Sequence, residues 1–136
     1  RGYYITPHYI HGLGKPGTNI PQQYLEKHDV GIDRQYYEPV IEGMRRVVTN
    51  GTVTAAANIP GTELCGKTGT SQNAKKGHKF DHSIFIGFAP RDNPKIAIAV
   101  FVENAGWGGV AAASVAALVV ERYLKRVTEA KALAKK

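Results

Sequence analysis

The stretch GTELCGKTGTSQN, residues 61–73, fits two different structures, and each gives its lysine a different task. From Gly61, the first eight letters match the phosphate-binding pattern G-x-x-x-x-G-K-[ST]. That pattern requires a strand before the loop and a helix that begins at the Gly-Lys-Thr triplet. From Lys67, the letters KTGT can instead lie along an extended strand. The residues on either side decide between the two structures.

The sequence after this stretch favours the strand. Residues 70–79, TSQNAKKGHK, contain a further glycine and lack the apolar period of a helix. Two apolar runs rich in β-branched and aromatic residues follow, 83–89 and 95–102, and only five residues separate them. Parallel strands need a crossover of about a dozen residues, so this pair is predicted to be antiparallel. We therefore expect a meander of 62–72, 83–89 and 95–102, with 95–102 as the central strand covered on both faces.

Two helices are predicted to flank this sheet, which gives an α/β (α+β) fold. Asp33 is a candidate N-cap for the first, which runs to about Asn50, with Gly51 as a left-handed C-cap. Pro39 either kinks this helix or marks a later start. The second helix, 110–126, is Ala-rich and is expected to pack across the sheet. One face of the first helix is predicted to be apolar: Val40, Ile41, Met44, Val47 and Val48.

The remaining segments are expected to be less regular. Residues 1–35 form an irregular lead-in in which 13–21 is a loop or a hairpin, and the polar tail 127–136 is expected to fray. The whole chain, 1–136, is thus predicted to be part of one domain, with the helix, the three-strand meander and the C-terminal helix in 36–126. Because the chain begins at Arg1 and not at Met, we expect it to be a piece of a longer protein.

Composition bounds the possible functions. With 136 residues, of which 43% are hydrophobic, the chain can form one domain with a core. The net charge of +7 comes from scattered lysines without an arginine-rich stripe, so nucleic-acid binding is not predicted. The single cysteine, Cys65, cannot form an internal disulfide and is expected to be a small buried strand residue.

Several stretches together resemble the C-terminal half of the transpeptidase domain of class B penicillin-binding proteins. Besides KTGT, these are EGMRRVV at 42–48, NGT at 50–52 and DHSIFIGFAPRDNPKIAIAVFVENAGWGG at 81–109. The resemblance covers about Tyr36 to Leu124. It is greatest to the elongation type, penicillin-binding protein 2, and next to the division type. The fold it implies is the C-terminal portion of a transpeptidase or serine β-lactamase-like domain.

The resemblance implies a peptidoglycan D,D-transpeptidase that acts on D-Ala-D-Ala stem peptides and is acylated by β-lactams. Lys67 and Thr70 would take part in catalysis: Lys67 supplies positive charge, and the N–H of Thr70 is one oxyanion donor. All four residues of the motif would bind substrate, since Thr68 and Thr70 offer hydroxyls to the terminal carboxylate. Gly69 leaves room for the substrate backbone. No metal or cofactor is implied.

The chain departs from the family in its serines. The nucleophile motif of the family is S-x-x-K, but Ala74, Ile86 and Ala117 stand three residues after Ser71, Ser83 and Ser114. Ser71-Gln72-Asn73 spells the second family motif, S-x-N, but in the wrong place, so that match is interpreted as chance. We therefore expect the upstream half of the same protein to carry the nucleophile, and this chain alone to be inactive.

The resemblance also implies a location and partners for the intact protein. We expect an anchor in the inner membrane, with this domain on the periplasmic side, and an association with the cell-elongation machinery is possible. The alternatives are a β-lactam-binding sensor domain and, least favoured, a nucleotide-binding phosphate loop. His78, Asp81 and His82 are not predicted to bind a metal, since no third well-placed ligand accompanies them. Trp107 is predicted to plug a loop, with a substrate lid as the other possibility.

Overall fold

The computed structural model describes residues 2–9, 12–15, 19–51, 53–73, 80–106 and 109–133. The chain divides into two compact units, 1–40 and 41–136. In the first unit, β1 (Tyr3–Tyr4) pairs antiparallel with β2 (His28–Asp29). A bridge between Leu13 and Asn19, closed by a hydrogen bond of 2.9 Å, agrees with the predicted loop or hairpin at 13–21. Two short 3₁₀ turns complete this unit, Gln22–Tyr24 and Arg34–Tyr36.

Asp33, the predicted N-cap, caps a 3₁₀ turn that leads into the first long helix. The carboxylate of Asp33 accepts a hydrogen bond from the backbone N–H of Gln35 at 3.0 Å, which caps the turn Arg34–Tyr36. The helix α1 (Tyr37–Thr49) follows at once. Pro39 therefore lies in the first turn of α1, where its missing N–H breaks no helical hydrogen bond. Of the two possibilities for Pro39, the later start of the α-helix is the one observed.

Two details of α1 differ from the prediction. Gly51 is absent from the glycines with positive φ, so the left-handed C-cap predicted there is wrong. The Cα of Gly51 instead lies close to the backbone of Val47, so that an added Cβ would stand 2.6 Å from the Val47 carbonyl oxygen. This close approach requires glycine. The predicted apolar face is also narrower than expected: Ile41 and Val48 are buried, but Val40 is 61% exposed.

The predicted antiparallel meander is confirmed. After the four-residue helix α2 (Thr54–Ala57), which the sequence did not predict, come β3 (Cys65–Ser71), β4 (His82–Ala89) and β5 (Ile96–Val102). They form an antiparallel sheet in the order β3-β4-β5. The antiparallel order, with Lys67 inside a strand, rules out the phosphate-loop alternative, which needs a helix at that position.

The prediction that 95–102 is the central strand is wrong, because β4 lies between β3 and β5. Among the described residues, β5 pairs with β4 alone, and its residues alternate between half-buried and exposed. The reason for the error is physical. An apolar run indicates how many faces of a strand are covered. It does not indicate how many strands lie beside it, because that depends on the backbone hydrogen bonds at its two edges.

The helix α3 (Ala111–Leu133) packs across one face of the sheet, as predicted. Small side chains let it approach closely: Ala112, Ala113, Ala116 and Ala117 are buried with Val120 against Phe85. The helix extends to Leu133, so the predicted end at 126 is wrong. Ala, Glu, Lys and Leu are strong helix formers, which explains the extension. Residues 134–136 lie outside the described part of the chain.

The buried ring of Phe85 holds β3 against β4. Gly66 stands opposite Gly87 in the ladder, and the ring of Phe85 covers both glycines. A Cβ on Gly66 would lie 2.7 Å from Cε2 of Phe85, and one on Gly87 would lie 2.8 Å from Cε1. Glycine is therefore required at both positions, and the pair fixes the register of the KTGT strand. Over the described residues, no helix is both long and apolar enough to span a membrane.

Candidate active-site wall on strand β3

All four residues predicted to form the site lie on β3, at an edge of the sheet. β3 is hydrogen-bonded to β4 on one side, and no strand in the described ranges pairs with its other side. Successive side chains on a strand point to opposite faces, so Lys67 and Gly69 lie on one face and Thr68 and Thr70 on the other. Lys67 and Thr70 are exposed, while Thr68 and Gly69 are half-buried. The edge thus presents one cation and two hydroxyls within four residues.

The ammonium group of Lys67 lies along the strand. Its Nζ donates a hydrogen bond of 2.6 Å to the backbone carbonyl of Thr68. Across the part of the chain that the structure describes, Lys67 forms no ion pair. Its positive charge is therefore not neutralised by a neighbouring carboxylate of the described residues, and it is available for an anionic group that approaches the edge.

Gly69 differs from Gly66 in what surrounds it. A Cβ on Gly69 would lie 3.5 Å from Cβ of Ile84, which is ordinary van der Waals contact. Packing within this chain therefore does not require glycine at position 69. The missing side chain leaves the strand surface open beside Lys67, as contact with a bound peptide would require.

Two of the three serines use their hydroxyls in hydrogen bonds within the fold. Ser83 is fully buried, and its Oγ accepts a hydrogen bond of 3.1 Å from the backbone N–H of Ala112 at the start of α3. Ser114 donates its hydroxyl to the carbonyl of Val110 at 2.7 Å. Ser71 is the last residue of β3. These placements agree with the absence of an S-x-x-K motif, since two of the hydroxyls have structural tasks.

A polar cluster that the sequence did not predict lies beyond the end of β3. We call it the end network, and its residues are Asn73, Asp81, His82 and Asn104. Nδ2 of Asn73 donates to Oδ1 of Asn104 at 2.7 Å, and the Asn73 backbone N–H donates to the Asp81 carboxylate at 3.0 Å. The Asn104 backbone N–H donates to Nδ1 of His82 at 3.1 Å. The network joins the connections that follow β3 and β5.

The end network also accounts for the polar side chains of Asp81 and His82, the residue types that can bind a metal. Both act as hydrogen-bond acceptors here, while His78 lies outside the described residues, as does Trp107. In the described ranges no three acidic, His or Cys residues are grouped as a metal site. Asn73, in the S-x-N match, belongs to the connection after β3. A signal was present in the sequence, because the ends of adjacent antiparallel strands meet and polar residues stood at each of those ends.

The opposite end of the sheet carries a charge cluster. Glu42 accepts hydrogen bonds from Arg45 at 2.8 Å and from Arg46 at 2.9 Å, and Arg91 lies 3.6 Å away. The hydrogen bonds from Arg45 and Arg46 lower the pKa of Glu42 from 4.5 to about 2. Cys65 is fully buried, as predicted, and burial raises the pKa of its thiol, which leaves it a poor nucleophile.

Comparison with known families gives a match over most of the chain. The model described as penicillin binding protein transpeptidase domain matches residues 1–121. The peptidoglycan D,D-transpeptidase MrdA of Acinetobacter baumannii is 35% identical in an alignment 128 positions long, which covers 82% of this chain and 18% of that protein. MrdA of Haemophilus influenzae is 36% identical over 66% of this chain and 16% of its own length. The chain thus spans less than a fifth of these relatives.

Solved structures of penicillin-binding proteins are also similar to this chain. Penicillin-binding protein A of Mycobacterium tuberculosis, as an imipenem acyl-enzyme complex, matches with a TM-score of 0.59 and 30% identity over 73% of this chain and 21% of that one. PBP2 of Pseudomonas aeruginosa, in complex with WCK 5153, matches with a TM-score of 0.53 and 38% identity over 68% and 21%. The helix, meander and C-terminal helix described above are therefore similar to part of a penicillin-binding protein.

Proposed function

The chain belongs to the penicillin-binding protein transpeptidase family and is similar to PBP2-like transpeptidase domains; we propose that it forms the C-terminal part of a peptidoglycan D,D-transpeptidase. One observation carries this proposal: Lys67-Thr68-Gly69-Thr70 lies on the exposed edge of an antiparallel sheet backed by a helix. That edge can bind an extended peptide with a terminal carboxylate by adding it alongside the strand.

The proposed reaction has two steps. A serine Oγ attacks the carbonyl carbon of the penultimate D-alanine, loses its proton to a base, and expels the terminal D-alanine as the C–N bond breaks. The acyl group on the serine is then attacked by an amine of a neighbouring strand, and the serine is released. β-Lactams would acylate the same serine by opening their ring.

The residues of β3 have separate tasks in this reaction. Lys67 attracts the terminal carboxylate from one face of β3, and the hydroxyls of Thr68 and Thr70, which lie on the other face, are proposed to reach it around the open edge of the strand. The backbone N–H of Thr70 donates to the oxyanion that develops in each step, a contribution of about 3–4 kcal/mol for such a donor. Gly69 lets the substrate backbone approach the strand. No residue of this chain acts as the nucleophile in the proposal.

The nucleophile is proposed to come from the upstream half of the same protein. The face of the sheet that carries Lys67 supports this, because it also carries large apolar side chains that are left exposed. Ile86, opposite Lys67 in the ladder, is 50% exposed, and Phe101 on β5 is 54% exposed. A row of exposed apolar side chains of this kind is typical of a surface that another part of a protein covers.

The setting of the intact protein is also a proposal. We infer that a segment outside this chain anchors it in the inner membrane, so that the domain faces the periplasm where peptidoglycan is cross-linked. The cell-elongation machinery is the expected partner, in keeping with the similarity to PBP2 proteins.

Labelling with a fluorescent penicillin tests the proposed division of labour. We expect no label on this 136-residue chain alone. Mixed with a separately expressed upstream half, the chain should restore labelling, with the label on the other polypeptide. A penicilloyl adduct on any residue of this chain would contradict the proposal.

A transpeptidation assay with a stem-peptide thioester separates the enzyme from the β-lactam sensor. The reconstituted pair should release the thiol and transfer the acyl group to an added D-amino acid. Labelling by penicillin without any acyl transfer would favour the sensor.

A further inference from the structure

The end network joins two connections that are far apart in sequence. Asn73 and Asn104 are 31 residues apart, and their side chains form a hydrogen bond of 2.7 Å. Each backbone is held as well, since Asn73 N–H donates to Asp81 and Asn104 N–H donates to His82. The Gly106 N–H adds a further bond of 2.9 Å to the Asp81 carbonyl. The connection after β5 is thereby fixed to the connection after β3.

The network reaches the residues of the motif through the ladder. His82 stands opposite Ser71, the last residue of β3, and Ser83 stands opposite Thr70. Asn73 is three residues after Thr70 along the backbone. A displacement of Asn73 is therefore passed to the end of β3 within three peptide units, which is the part of the strand that carries the proposed oxyanion donor.

The conformation of Asn104 points to a task for its side chain. Its φ is 53°, in the left-handed region that Gly adopts freely and that Asn and Asp tolerate best among other residues. Glycine would adopt this φ with less steric strain. Asn104 contributes what glycine cannot, namely the acceptor for the amide of Asn73.

We propose that Asn73 and Asn104 are positioning residues for acyl transfer, and that their bond fixes the backbone N–H of Thr70 where the oxyanion forms. The inference rests on the proposed function, since it presumes that the chain takes part in acylation. An oxyanion donor acts only within a few tenths of an ångström of its best distance. A displacement of about 1 Å can cost about a hundredfold in rate, so the end of β3 needs support beyond its ladder with β4.

The test uses the intact protein, in which this chain is joined to its upstream half, and a chromogenic cephalosporin as the probe. Stopped-flow kinetics give the acylation rate constant and the noncovalent dissociation constant separately. For Asn104→Gly we expect acylation about tenfold slower with an unchanged dissociation constant, because glycine keeps the backbone conformation and removes the acceptor for Asn73. Asn104→Asp is the matched control. Its carboxylate still accepts from Asn73 and tolerates the same φ, so its rate should stay within about twofold of wild type.

A double-mutant cycle with Asn73→Ala decides whether the two residues act through one bond. We expect Asn73→Ala to match Asn104→Gly, and the double variant to be no slower than either. Multiplied losses in the double variant, an Asn104→Asp as slow as Asn104→Gly, or unchanged acylation in both single variants would each overturn the proposal.

Two further results are distinguishable from these. Unfolding of both single variants, followed by far-UV circular dichroism, would show that the network only stabilises the fold, and would overturn the proposal. If the wild-type protein itself is not acylated, the proposed function fails and the positioning role fails with it.

Discussion

The two ends of strand β3 are held by different kinds of interaction. At its beginning, Cys65 and Gly66 are buried and the ring of Phe85 covers Gly66. At its end, the strand passes into the end network, where the contacts are hydrogen bonds between polar groups at the surface. The four motif residues lie between these ends. One end of the strand is thus positioned by packing that leaves no room for an added Cβ, and the other end by hydrogen bonds.

Two glycine substitutions test this comparison with the largest expected effect. Gly66→Ala should lower the free energy of unfolding by about 3 kcal/mol, because the new methyl group would overlap the ring of Phe85. Gly69→Ala should change it by less than about 0.5 kcal/mol, since its methyl group has room beside Ile84. Urea unfolding of both variants measures the difference. Equal destabilisation would show that packing constrains the whole strand and not only its beginning.

Removal of the Lys67 charge tests the middle of the strand. In the intact protein, Lys67→Ala should slow acylation by β-lactams roughly 10- to 100-fold, the range for loss of a charged hydrogen bond. The urea midpoint should stay unchanged, because the side chain is exposed. Lys95→Ala is the matched control: it removes the same charge from an exposed position in the turn before β5. Unchanged acylation in Lys67→Ala would show that this lysine does not face the substrate.

Ser83 links the sheet to α3 and gives a smaller expected effect. Ser83→Ala should destabilise the protein by about 1–2 kcal/mol, because the N–H of Ala112 loses its buried acceptor. Ser114→Ala should cost only a few tenths of a kcal/mol, since that hydroxyl bonds to the carbonyl of Val110, four residues earlier and just before the helix. Thermal unfolding of both variants provides the comparison. Similar losses would mean that the contribution of Ser83 is not its bond to α3.

The charge cluster should give the smallest effect, and one that depends on pH. Because the pKa of Glu42 is lowered from 4.5 to about 2, its carboxylate stabilises the fold above pH 4.5. That stabilisation is lost as the pH falls from 4.5 through about 2, where the carboxylate becomes protonated in the folded state. The difference in urea midpoint between wild type and Glu42→Gln should shrink over that range. A difference that stays constant would show that the ion pairs contribute nothing.

The sheet was predictable because its evidence is local. Strand-length apolar runs and a five-residue turn determine an antiparallel pair, and KTGT could be assigned to a strand from the same pattern. The centre of the sheet was not predictable from the same runs. The apolar pattern of 95–102 indicates that the strand is buried. It does not show whether a helix alone covers the strand or whether a further strand also pairs with it.

The site was predictable only in part, for a related reason. The residue types of Lys67, Thr68 and Thr70 carry recognisable chemistry. For the end network, the sequence indicates only that polar residues stand at strand ends that meet; it does not indicate which of them bond, since asparagine is common in loops of many kinds. Gly51 shows the limit for glycines: its sequence position suggested a left-handed cap, whereas the structure needs glycine there for a close backbone approach.

The paired glycines under Phe85 also select the register in which β3 pairs with β4 while the sheet assembles. If β3 docked against β4 two residues out of register, the correct faces would still match, but the Cβ of Leu64 or Thr68 would meet the ring. A slip of one residue would bring Lys67 to the core face instead. Only one alignment escapes both penalties. The glycine pair therefore disfavours misaligned pairing of the KTGT strand with β4 as the sheet forms.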